Sequence, residues 1–306
     1  MKKSHVYLIL FCVMIAWGFN VVATKVLGAV FMPVTMTAAR LLVAGVCVFI
    51  FLFLMKRVRK LTKKELFIVA GGSLFNVVGH HYFLAVGLTQ TSASNGGLIL
   101  GAGPLLTAVM AFLFLRKRLS GLRVVGILFG FAGVAFIVLQ GSAGISGIAI
   151  GDILVFLSIF SQAVSFIIIS KVSDTLDPRL MTGYMLLIGA VVMFGISRFL
   201  EPDGLQHLLS PASTGVWAIF FASAVIATAL GQMLYNYAIG KVGPSEASVF
   251  MNFSPFFTLV GSALFLGENI RFAHILGLLC IVFGVVLGSG AWEELRRNRN
   301  AQLNVK

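Results

Sequence analysis

Polar side chains recur at helical spacing inside stretches that are otherwise apolar. Trp17, Asn20 and Thr24 fall at i, i+3 and i+7, and Ser73, Asn76 and His80 follow a similar spacing, with His81 and Tyr82 beside them. Further on come Ser158, Ser161, Gln162 and Ser165, then Thr228, Gln232, Tyr235 and Asn236, then Ser245, Ser248, Asn252 and Pro255. Asn95 opens another stretch, followed by a small-residue stripe of Gly97, Gly101 and Pro104. Each set falls on one face of a helix. Amides, hydroxyls and imidazoles hold a polar or zwitterionic molecule by hydrogen bonds rather than by one strong ion pair. Trp17, Tyr82 and Tyr235 add apolar and stacking contacts. The competing reading is interhelical glue, in which each such group bonds a neighbouring helix for under about 1–2 kcal/mol.

Bond-making chemistry finds no support. HExxH, a paired carboxylate and a Ser/His/Asp group are all missing from the sequence. His80 and His81 are adjacent, about a quarter-turn apart on a helix, and make a poor bidentate metal site. Cys12, Cys47 and Cys280 lie in apolar segments without CxxC spacing and read as small buried hydrophobes. The chain is therefore expected to be no enzyme and to need no metal and no cofactor. His80 or His81 titrates near neutral pH or stays hydrogen-bonded and neutral. Asp152 and Glu246 fall near span ends within reach of solvent, and no carboxylate lies mid-span, so ion coupling and facilitated diffusion both stay open. Arg40, a turn or two from its helix end, is expected to snorkel or bind backbone carbonyls.

The elements that position these residues are membrane spans. The chain of 306 residues is 59% hydrophobic and 11% charged, with mean hydropathy +1.02, whereas a soluble chain carries roughly 25% charged residues. No soluble core of this size hides so much apolar surface. The net charge of +13 sits in short runs between apolar segments, such as 56–64 and 116–123. That pattern marks cytoplasmic loops and excludes nucleic acid as a partner. Lys2 and Lys3 before an apolar run resemble a signal peptide, but no small-residue cleavage site follows, so the run is read as a retained helix.

Ten segments have bilayer-crossing length and character, at about 5–24, 33–55, 65–88, 94–115, 123–140, 152–170, 180–199, 214–239, 245–266 and 272–291. With the N-terminus inside, 19 of the 23 Lys and Arg face the inner side, Lys25, Arg198 and Arg271 the outer side, and Arg40 lies within a span. Both termini are then cytoplasmic in a multi-pass cell-membrane protein. One offset of 151 residues aligns Pro104 with Pro255, Thr107 with Thr258, Gly126 with Gly277 and Gly133 with Gly284. Five spans per half is an odd number, so the halves enter the membrane in opposite directions. The expected fold is an all-α integral membrane protein of ten transmembrane helices, built as two inverted five-helix repeats. Repeat 1 covers 5–140, repeat 2 covers 147–291, and 292–306 is a polar cytoplasmic tail. Spans one, three, four, six, eight and nine carry the polar stripes and are expected to enclose a pathway. Pro104 and Pro255 sit inside helices, either as simple bends or as gate hinges. The GxxxG patterns at Gly126–Gly130 and Gly284–Gly288 suggest that the fifth and tenth spans pack together.

These residues resemble the drug/metabolite transporter superfamily, in its branch of ten-helix bacterial permeases with two EamA domains. The carriers are Trp17-Gly18-Phe19-Asn20 with Lys25, Ala39-Arg40-Leu41, Thr91-Ser92-Ala93-Ser94, Phe250-Met251-Asn252-Phe253-Ser254-Pro255 and Phe265-Leu266-Gly267-Glu268. The resemblance implies the same six pathway-lining helices. Many members repeat the Gly-Glu ending in the first half; Arg116-Lys117-Arg118 stands there instead, which leaves Glu268 without a symmetric partner. The four-helix relatives exchange protons through a glutamate in the first helix, and this first helix has no acid. His80-His81-Tyr82 resembles the amino-acid exporter subgroup. The expectation is a secondary transporter of small polar metabolites, amino acids under that subgroup resemblance, working by alternating access as a monomer or weak homodimer in the lipid bilayer. The expected substrate pathway runs past Trp17, Asn20, Asn76, His80, Tyr82, Gln162, Gln232, Tyr235, Asn236 and Asn252. A flippase or multidrug exporter on the same fold is the alternative.

Overall fold

A bilayer offers no water to backbone N–H and C=O groups, so apolar spans must satisfy them internally as helices. The structure, a computed structural model, describes residues 3–115, 120–140, 149–170, 176–242, 247 and 250–288. Among these residues every regular element is helical. In chain order they are α1 (Lys3–Val30), α2 (Pro33–Leu54), α3 (Lys63–Ser73), α4 (His80–Thr89), α5 (Ala93–Leu100), α6 (Gly103–Leu115), α7 (Gly121–Gln140) and α8 (Ile150–Ser170). Then follow α9 (Pro178–Leu200), α10 (Gly204–Leu208), α11 (Thr214–Phe221), α12 (Gly231–Val242), α13 (Phe253–Leu266) and α14 (Phe272–Gly288).

Seven helical stretches are long and apolar enough to cross a bilayer: Ser4–Val30, Pro33–Leu54, Lys63–Thr89, Ala93–Phe114, Ile150–Ile168, Pro178–Leu200 and Thr214–Val242. Three shorter apolar helices accompany them, Gly121–Phe136, Phe253–Leu266 and Phe272–Leu287. Large apolar side chains such as Phe53, Phe67, Phe199 and Phe272 stay exposed on the outside, as lipid contact allows and water would not. Ser245, Ser248, Glu246, Arg116-Lys117-Arg118 and the tail 292–306 lie outside the described residues.

Local chemistry fixes the helix starts. Pro33 and Pro178 open α2 and α9, where the missing N–H has no intrahelical acceptor to lose. Thr62 and Glu65 form a capping box at α3, and the Ser92 and Ser213 hydroxyls accept from Asn95 N and Val216 N. The first helix runs on to Val30, past the expected end at Thr24, so Lys25 is helical rather than in a loop. Its neighbours are apolar up to the Phe31-Met32-Pro33 turn, and nothing before Pro33 breaks the helix.

Two long stretches change pitch midway. The segments Leu74–Gly79 and Ala222–Leu230 are π-helical, a form frequent at functional sites. They deliver His80-His81 and Gly231-Gln232, pairs 151 residues apart.

The prolines sit in the first turn of a helix, just after a break, rather than mid-helix as the sequence suggested. Helix α5 ends at Leu100 and α6 restarts at Gly103; the same break at residues 251–252 precedes α13. A proline ring clashes with the carbonyl four residues back. For Pro104 and Pro255 that residue is Leu100 or Met251, the point where each helix stops. Ala102 N bonds Ile99 O at 3.0 Å and Ser254 N bonds Met251 O at 3.1 Å, tightening the break.

Glycines let helices meet closely. A Cβ on Gly284 would fall 2.7 Å from the Gly126 oxygen, and one on Gly133 would fall 3.1 Å from the Gly277 oxygen. Helices α7 and α14, the fifth and tenth spans of the sequence, therefore pack together. The contact is reciprocal, because Gly126 and Gly277 are 151 residues apart, as are Gly133 and Gly284.

Candidate functional site

The polar stripes converge on one cavity of ≈ 80 Å³. Water needs roughly 10–15 Å³ of such space per molecule, so the cavity has room for several waters or a small polar molecule. Its polar wall comes from Trp17, Asn20, His80, His81, Gln162, Thr228, Gln232 and Ser254, and its apolar wall includes Leu84, Leu100 and Met251. These residues belong to the first, third, fourth, sixth, eighth and ninth apolar stretches, the six whose stripes the sequence set apart. Asn20 lies ten residues from the end of α1, about 15 Å at 1.5 Å per residue, so the cavity is near mid-depth.

Of the ten pathway residues expected from sequence, Trp17, Asn20, His80, Gln162 and Gln232 line this cavity. The other five lie behind or away from it. Asn76 donates to the Ser165 hydroxyl at 2.9 Å and Asn236 to the Thr182 hydroxyl at 2.6 Å. Buried Tyr235 packs on the Trp17 ring at 4.9 Å. Tyr82 packs at the edge of an apolar cluster with Met185 and Val78. Asn252 is buried at the break before α13, with its Oδ1 lacking a partner.

Sequence reasoning gave little weight to two cavity neighbours, His81 and Arg40. The side chains of His81 and Gln232 meet at 3.2 Å, and they are 151 residues apart in the chain. Arg40 is fully buried and does not snorkel or bind carbonyls. Its guanidinium donates to the Thr24 hydroxyl at 3.1 Å and the Ser223 hydroxyl at 2.9 Å, and it lies 3.4 Å from His81 Nδ1. Ser223 in turn donates to Asn20 Oδ1 at 2.5 Å. A lone arginine in an apolar run, one helical face from no acid, was the available signal.

The two ends of the bundle are bonded differently. At one end Glu268 accepts from Ala93 N at 2.8 Å, Ser94 N at 2.9 Å and the Ser94 hydroxyl at 2.6 Å. Glu201 does the same for Val34 N at 2.9 Å, Thr35 N at 2.7 Å and the Thr35 hydroxyl at 2.8 Å. Each carboxylate meets the positive N-terminus of a helix. Glu201 thus repeats the bonding of Glu268 from within the same half of the chain; it is not the symmetric partner, and residues 116–118 lie outside the described residues. Lys25 donates to Thr91 O, and the Thr91 hydroxyl to Asp152, each at 2.5 Å. Asp152 is buried rather than solvent-accessible as expected, because the Thr91 turn covers it. At the other end Arg57 faces Asp177 at 3.7 Å, the Arg59 fork holds Glu65, and the Tyr184 hydroxyl donates to Arg59 O at 3.0 Å.

Residues 5–139 and 149–290 each match the model of the EamA-like transporter family. The chain is 30% identical over 312 residues to the uncharacterized transporter YyaM of Bacillus subtilis (strain 168), covering 99% of both chains. An uncharacterized transporter of Archaeoglobus fulgidus is 25% identical, over 94% of this chain and 98% of its own. The chloroplastic WAT1-related protein At3g02690 of Arabidopsis thaliana is 25% identical, over 89% of this chain and 66% of its own. A crystal structure at 19% identity superposes with a TM-score of 0.65, over 96% of this chain and 99% of its own, a likeness of fold.

Proposed function

The chain belongs to the EamA-like transporter family, and we propose that it carries small polar metabolites by alternating access between two inverted repeats. It is a membrane transporter and not an enzyme; cargo and mechanism are our reading. The observation that carries this reading is the meeting of His81 with Gln232 inside a mid-depth polar cavity. Two residues one repeat length apart touch where a two-fold axis in the membrane plane would pass. The reciprocal glycine contacts of α7 and α14 support the same axis. On this reading the seven long and three shorter apolar helices are the ten spans, with 5–140 and 147–291 as the repeats and both termini cytoplasmic. The breaks before Pro104 and Pro255 then act as paired gate hinges in the fourth and ninth spans.

Counterflow in liposomes tests the proposal. Protein reconstituted with a trapped amino acid or metabolite should accumulate the labelled form from outside, and an imposed proton gradient should accelerate a coupled exchange only. Gln232→Leu should abolish exchange in folded protein. No exchange across a broad amino-acid and metabolite panel would overturn the reading. A second reading, a flippase or multidrug exporter, is favoured by one feature. An apolar crevice of ≈ 240 Å³ between α1 and the π-helical segment Ala222–Leu230 shares Asn20 and Ala227 with the cavity. Uptake of apolar dyes or scrambling of labelled lipid, without metabolite exchange, would select it.

A further inference from the structure

We infer that the cavity is built for a cargo bearing a carboxylate, and that Arg40 supplies the positive field that holds it. A fully buried guanidinium in a membrane is costly unless a counter-ion meets it. Among the described residues Arg40 forms no ion pair; its partners are two neutral hydroxyls and an imidazole nitrogen, and its Nε has no partner. The charge is therefore left uncompensated by the protein, one side chain behind the cavity.

The bonding sequence carries this charge to the cavity wall. An arginine can only donate, so His81 Nδ1 must accept and the imidazole proton sits on Nε2. That proton faces the Gln232 amide, which must then turn its oxygen to His81. Amide orientation follows the network in this way. The Gln232 NH2 group is left for the cavity. On the other branch Ser223 accepts from Arg40 and donates to Asn20 Oδ1, leaving the Asn20 NH2 group on the cavity wall without a partner among the described residues. Two N–H donor groups exclude an ammonium, which cannot accept, and because both are oriented by one buried cation they favour an anionic oxygen pair over a neutral carbonyl.

This deepens the transport reading, and its test separates the two. Purified full-length protein is assayed for thermal stabilisation by L-amino acids, by their carboxamides and by fatty-chain monocarboxylates of equal length, and the same compounds are scored in counterflow. Amino acids or monocarboxylates should stabilise the protein, with a preference of about a hundredfold or more over the amides, which lack the group the donors are set for. Stabilisation by monocarboxylates alone would name an organic acid, and by amino acids alone a zwitterion. Arg40→Gln should stay folded and lose that preference, which a merely structural arginine would not control. Asn20→Asp places a carboxylate beside Ser223 and within the field of Arg40; it should raise the melting temperature and abolish stabilisation by external carboxylates. Equal response to acids and amides, no response to any carboxylate, an unaltered preference in Arg40→Gln, or a lowered melting temperature in Asn20→Asp would each overturn the inference. Carboxylate binding without exchange would leave it standing and sink transport instead; exchange of amides and acids alike would do the reverse.

Discussion

The two ends of the bundle are joined by different chemistry. At the end carrying Lys25, Glu201 and Glu268, three acids from the later part of the chain, Asp152, Glu201 and Glu268, reach groups from the earlier part. Glu201 and Glu268 each accept two backbone N–H bonds and one hydroxyl, in partly buried sites. At the opposite end, among the described residues, the polar contacts between the same parts are a 3.7 Å pair with Arg57 56% exposed and an exposed tyrosine hydroxyl, beside apolar packing of Val6 and Leu10 with Ala238, Ala247 and Met251. Charge-assisted bonds to a helix N-terminus are strong, whereas an exposed ion pair contributes about 0–1 kcal/mol. The difference teaches which way the molecule is held in this state. The carboxylate end is fastened by charge-assisted bonds and the arginine end, among the described residues, by apolar packing and one exposed ion pair, so a rocking transporter would have to release Glu201 and Glu268 to open on the first side.

The largest effect should come from removing both fasteners. Glu201→Ala with Glu268→Ala leaves four backbone N–H groups without their acceptors, at about 1–3 kcal/mol per site. The two sites share no partner, so their costs should add. Denaturant melts in micelles would read this, and a double variant as stable as wild type would break the comparison. Asp152→Ala removes the acceptor of the Thr91 hydroxyl and should cost about 1 kcal/mol, measured the same way. Arg57→Gln should change stability by no more than about 1 kcal/mol, and less in high salt; a larger loss would make the arginine end a fastener too. The smallest effect is in pH. Burial pushes the Asp177 carboxyl up, but its bonds to Arg179 and the nearby Arg57 outweigh this and hold it below the usual carboxylate range. Its contribution is therefore complete above the ordinary carboxylate value and is lost as pH falls through the lowered one. In Asp177→Asn that acid-induced loss, read from melting temperature against pH below about 4, should be smaller.

Much of this was legible in the residues. Helix type, the six polar stretches and the pairing of α7 with α14 follow from periodicity and glycine spacing, which act locally or at the shortest range. The 151-residue offset also paired His81 with Gln232, although only the offset and not the contact could be read. Glu201 was illegible as a fastener because its partners, Val34 and Thr35, lie 167 and 166 residues away. The prolines were placed in helix interiors because a sequence shows the ring but not whether the helix yields at the clashing carbonyl.

The sequence by itself determined that the chain is a membrane-embedded helical protein with two echoing halves, since hydropathy and repeat spacing are properties of the chain alone. Only the tertiary structure decided which five of ten polar candidates share a cavity. It also decided that Arg40 is buried without an acid and that one end is fastened by carboxylates. Those outcomes depend on how helices rotate and approach, and a stripe on one helix acquires its neighbours only when the others have packed against it.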